Sequence, residues 1–163
     1  MTWSRAGRYA LTITSLAAVA LGMTAPAANA DNRRLNESVF VNIDTAQKQN
    51  GCPQEPRLDG RLEEAARLHT LDVLNNRALD GDIGSDGSTA QDRANAQGFV
   101  GKASETVAIN PALAISGIEI LGQWWYNPAY RAIMQDCSNL AIGVWSENSL
   151  DRTVVVAVYG QPG

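Results

Sequence analysis

Four places in the sequence hold side chains able to do chemistry: the single histidine, His69; the acidic loop at 80–88; Glu105; and the two cysteines, Cys52 and Cys137. A zinc site needs three or four nitrogen, sulfur or oxygen ligands, and neither H-x-x-x-H nor C-x-x-C spacing occurs. No G-x-S-x-G turn marks a serine nucleophile for His69 to serve as base. His69 therefore reads as a helix-face histidine bonded to a neighbouring carbonyl. In the acidic loop, Asp80 and Asp82 are spaced like the first two ligands of a calcium loop. Gly84 and Ser85 then break the pattern and no glutamate closes it, so turn chemistry accounts for its Asp and Gly residues. Glu105 alternates with Val107 and Ile109 and would share their buried face. A carboxylate there demands a partner, for which backbone N–H groups are the ordinary choice.

The first thirty residues stand apart. Arg5 and Arg8 precede an apolar run from Ala10 to Leu21, and the stretch ends in Ala28-Asn29-Ala30. That is the pattern of a secretory leader over residues 1–30. The run is too short for a comfortable membrane span, and no second one follows. Cleavage after Ala30 leaves 133 of the 163 residues and takes the net charge from −4 to −6. Without a Lys/Arg cluster, that balance excludes nucleic acid and anionic lipid surfaces as natural partners. An even cysteine count in an exported chain argues for a Cys52–Cys137 bridge, with a free thiol or an intermolecular link as the alternatives.

The elements that must carry these residues follow from periodicity. Val39, Ile43 and Ala46 predict a helix over about 37–49, capped by Asn36 and closed by Gly51. Pro53 and Pro56 mark a linker. Asp59 caps a second helix, whose Leu62, Ala65, Ala66, His69 and Val73 form one face. Ser88 and Gln91 have the spacing of a capping box for a short third helix. Residues 106–109 read as a strand, and Asn110-Pro111 opens a fourth helix. Asn127-Pro128 breaks it before a short helix at about 129–135. Two β-rich runs, 140–145 and 153–159, close the chain as a hairpin. The result is one domain at 31–163 of layered α/β class.

In that order the segments resemble the CAP superfamily, the cysteine-rich secretory/antigen 5/pathogenesis-related (SCP-like) domain, in its bacterial secreted form. Leu62-Glu63-Glu64-Ala65-Ala66-Arg67-Leu68-His69 is similar to the family's A-x-x-H helix. Gly84-Ser85-Asp86-Gly87-Ser88 with Asp92-Arg93 resembles its following loop and helix. Glu105 falls on its Glu-Asn dipeptide, and Trp125-Tyr126-Asn127-Pro128-Ala129-Tyr130-Arg131 resembles its W-x-x-S-P-x-H-R stretch. The resemblance implies a three-layer α/β/α sandwich with a small, mainly antiparallel sheet and a surface cleft. In many members the cleft holds two histidines and two glutamates that can bind a divalent cation.

Carried over residue by residue, the resemblance puts Asp82 and Tyr130 where the family has its histidines, and keeps Glu105. His69 is not one of these positions, so it is expected elsewhere on its helix. The implied cleft is then Asp82, Glu105, Tyr130 and Tyr126, with Trp124 and Trp125 as further aromatic walls. It has no zinc site and no required cofactor; Ca²⁺ or Mg²⁺ would bind only weakly at Asp82 and Glu105. The expected role is non-enzymatic binding of an apolar small molecule, lipid or sterol-like, or of a peptide or protein partner, outside the cell or at its envelope. The alternatives are a hydrolase using Asp82 and Glu105, and a purely structural envelope protein.

Overall fold

A computed structural model describes residues 27–111 and 115–163. Its elements are α1 (Ala27–Gln49), β1 (Arg57–Leu58), α2 (Gly60–Asn75), α3 (Ala90–Ala96), β2 (Gly101–Asn110), α4 (Gly117–Trp125), α5 (Pro128–Gln135), β3 (Ala141–Asn148) and β4 (Thr153–Pro162). The expected leader lies outside the described residues except at its end: α1 starts at Ala27 and runs through the expected cleavage point after Ala30.

The sheet is ordered β1-β3-β4-β2, with β1–β3 parallel and the other two pairs antiparallel. The central strand β4 explains the layering. Val154 to Tyr159 is an unbroken apolar run, and all six side chains are fully buried. Strand alternation sends Val155, Ala157 and Tyr159 to one face, where they meet Val39 and Ile43 of α1, Ile120 and Trp124 of α4 and Met134 of α5. Val154, Val156 and Val158 go to the other, against Leu62, Ala65, Ala66 and Val73 of α2 and Ala94 of α3. A strand that is apolar on both faces requires a cover on both, so the mixed sheet becomes the middle of an α/β/α sandwich.

Several boundaries differ from the periodic reading, each for a local reason. The third helix is capped one residue later than expected. The Thr89 hydroxyl accepts from the Asp92 N–H at 3.2 Å, and the Asp92 carboxylate accepts from the Thr89 N–H at 2.9 Å. Asn110 does not open a helix; it is the last residue of β2, opposite Thr153. The next helix is capped instead by Ser116 with Glu119 in a second reciprocal box, and the first part of the segment expected to be helical, 112–114, lies outside the described residues. β1 is too short to leave a periodic trace, and Pro56 masks it as linker.

α2 lies directly on the backbone of β3 at Gly143. A Cβ there would overlap the main chain of Leu62 and Glu63. The Gly143→Ala substitution is expected to push the helix off the sheet and destabilise the protein by about 2–3 kcal/mol, as overpacking of a close contact does. Chemical denaturation measures it; a loss below about 0.5 kcal/mol would show that the contact relaxes freely.

Candidate functional site

The same alternation that places Val107 on the α2–α3 face places Glu105 there, and its residue is only 3% exposed. On α2, His69 continues the buried face of Leu62, Ala65, Ala66 and Val73; on α3, Arg93 sits between buried Ala90 and Ala94. These three side chains meet. Arg93 Nη2 donates to Glu105 Oε1 at 2.6 Å and to the Asp82 carbonyl at 2.7 Å. Its Nη1 donates to the Ser88 carbonyl at 2.7 Å and to Ser88 Oγ at 3.0 Å. His69 Nε2 lies 3.0 Å from the Gly81 carbonyl and 3.3 Å from Glu105 Oε1. Both neighbours are acceptors when Glu105 is ionised, which puts the imidazole proton on Nε2. One guanidinium and one imidazole thus tie the 80–88 loop to the edge strand. Asp72 adds to the hold by accepting from the Ser85 N–H at 2.8 Å and hydroxyl at 2.7 Å.

Burial governs the electrostatics. It pushes the Glu105 carboxyl up to about 7, against the opposing pull of Arg93, and Asp82 pushes the same way. Burial, followed by the Arg93 charge, holds His69 below its ordinary range. A carboxyl that keeps its proton up to about 7 contributes stability that is complete below its ordinary value of 4.5 and lost as pH rises through 7. His69 runs the other way: its contribution is present above 6.5 and lost as pH falls below that value. The Glu105→Gln variant cannot ionise, so the stability of the wild type relative to it should decline from pH 5 to 7.5. Unfolding free energies at the two pH values check this. Equal slopes would mean that Glu105 is ionised throughout.

The second feature is a groove of about 410 Å³ between α1, the start of α2 and the outer edge of β3, with Phe40, Leu58, Val144 and Trp145 as its apolar lining.

No protein-family model matches the sequence, nor does any curated protein sequence. Solved structures do. An outer surface protein of Borrelia burgdorferi superposes with a TM-score of 0.67 at 17% identity, over 78% of this chain and 92% of that one. An extracellular protein of Bacillus anthracis containing an SCP domain gives 0.68 at 15% identity, over 82% of this chain and 42% of that one. A cysteine-rich secretory protein of Staphylococcus aureus gives 0.58 at 10% identity, over 80% and 39%. The chain has the SCP, or CAP, fold. It spans less than half the length of the Bacillus and Staphylococcus proteins, so the likeness is to one domain of each.

Within the CAP fold, Asp82, Glu105 and Tyr130 lie near enough to interact electrostatically, while Tyr126 stands apart. Asp82 and Glu105 are brought together, but Asp82 joins the network through its carbonyl while its side chain faces solvent. Tyr130 on α5 is half-buried, and its phenol is raised by burial and then by Asp82, with Glu105 adding a smaller effect. Tyr126 ends α4 and is 87% exposed, with no bond to the network among the described residues. Trp124 is core, and Trp125 lies half-buried under the Arg131 guanidinium. His69, expected elsewhere, is at Glu105 itself. Arg93 was the missing partner. The signal for it was present: a buried glutamate calls for a cation, and Arg93 shares a helix face with Ala90 and Ala94.

A divalent cation does not fit the Arg93–Glu105 site. Glu105 Oε1 is already held by a guanidinium, whose charge repels a second cation. No group of three or more His, Cys, Asp or Glu side chains among the described residues could hold a metal. The cleft beside His69 and Arg93 is lined by Asp72, Asp86 and Asp92, which are engaged by Ser85, Ser88 and Thr89 respectively.

Proposed function

We propose that this chain is an exported, non-catalytic binding module of CAP fold that takes an apolar small molecule or a peptide in the groove between α1 and β3. The observation that carries the reading is the Arg93–Glu105 pair. It is a buried structural clamp at the place where the resemblance implies a cation-binding centre. A hydrolase using Asp82 and Glu105 would need an acid that reaches its substrate, and Glu105 is 3% exposed. The groove supports the binding role: its volume and apolar lining suit a ligand segment of a few side chains. Export accords with the leader pattern at 1–30, and the similar Borrelia and Bacillus proteins are described as outer-surface and extracellular.

Mass spectrometry of the secreted protein is expected to find a chain beginning at Asp31 and a co-purifying apolar molecule or peptide. Phe40→Asp should abolish its retention. Calorimetry near neutral pH should detect no tight zinc binding. Tight zinc binding that disappears in Glu105→Ala, or a ligand retained fully by Phe40→Asp, would overturn the reading.

A further inference from the structure

The groove between α1 and β3 has a chemistry more specific than apolar. Its floor is a sheet edge. The Leu140 and Ile142 carbonyls accept from the Arg57 and Asp59 N–H groups at 2.9 Å, so even-numbered residues turn their peptide groups outward on this side. β1 stops at Leu58, and Val144 has no neighbouring strand on that side among the described residues; at Ser146 the edge is closed by Asn32 and Asn36 of α1. An alkyl chain laid there would leave the Val144 peptide group without a partner; an extended backbone would supply one. The rim carries Glu37, Glu63 and Glu147 against a single cation, Arg33. None of the three glutamates is in an ion pair among the described residues.

From this we infer that the groove binds an extended, basic peptide segment whose apolar side chains alternate with lysine or arginine, and that it discriminates against fatty acids. The inference rests on the groove being the ligand site, and it narrows the ligand to one class. The peptide would lie along β3 in line with β1, its apolar side chains on the α1 face against Phe40 and Leu58 and its cations on the α2 face toward Glu63 and over Trp145. A fatty-acid carboxylate would meet the rim glutamates as a like charge.

The test uses the secreted chain and three probes: a capped Lys-Val-Lys-Val-Lys-Val peptide, its Glu-Val counterpart, and laurate. Binding is read from the Trp145 indole resonance and from hydrogen exchange of the Val144 amide. The basic peptide should shift the indole and slow Val144 exchange about tenfold or more, and its affinity should fall with added salt. The acidic peptide and laurate should do neither. The Glu37→Lys/Glu63→Lys variant should weaken the basic peptide about tenfold or more. Glu63→Lys alone serves if the double variant fails to fold. Laurate binding as well as the basic peptide, or an affinity unchanged by these substitutions, would overturn the basic-peptide inference while leaving the groove as an apolar site. If no probe perturbs Trp145 or Val144, the groove reading falls with it.

Discussion

Replacing Arg93 with methionine is expected to cost about 3–5 kcal/mol of stability at about pH 8, where Glu105 is ionised, the usual loss when one partner of a buried ion pair is removed. Glu105 would then lie in a dry site beside His69, with no compensating charge. The 80–88 loop would lose the donor that holds the carbonyls of Asp82 and Ser88. The deficit should come from the stranded carboxylate rather than from lost packing, because methionine keeps much of the arginine stem's volume. The double variant Arg93→Met/Glu105→Leu therefore should recover much of the loss. Denaturant titration of the wild type, both single variants and the double variant forms the cycle. A cost below about 1 kcal/mol for Arg93→Met would show that water reaches Glu105 and that the clamp is not dry. A double variant as unstable as the single would place the energy in Arg93's bonds to the loop.

The second large effect concerns the bridge. Cys52 and Cys137 are bonded, with α-carbons 5.1 Å apart and a sequence separation of 85. The loop is long, so its closure removes much entropy from the unfolded chain, about 4–5 kcal/mol on the chain-entropy account. The native contacts around the bridge do not depend on it. Gln47 Nε2 donates to the Asn139 carbonyl at 3.1 Å, and Asn50 Nδ2 to the Gln135 carbonyl at 3.0 Å. The Cys52→Ala/Cys137→Ala variant is accordingly expected to keep its fold and lose about 4 kcal/mol. The denaturant slope should steepen, because the unfolded chain becomes less compact. An unchanged slope with a loss near 1 kcal/mol would mean that the reduced unfolded state is compact without the bridge.

How much of this was legible depends on the range of the interaction. The apolar run 154–159, the face of α2 and the Asn127-Pro128 helix start are local patterns, and each element formed where its period put it. The two cysteines could be paired because a chain holding only two leaves one intramolecular pairing. Burial of Glu105 followed from alternation with Val107. Its partner did not, because Arg93 is 12 positions away on a helix whose docking is set by the sheet. His69 stands 36 positions from Glu105, and only the packing of α2 across β3 and β4 brings the two within 3.3 Å. The groove is a property of tertiary structure in the same sense. It exists because a two-residue β1 ends early and leaves part of an edge uncovered between two helices. Hydrophobic period fixes which face of an element is buried; which charges then share that buried space is decided only when the layers close.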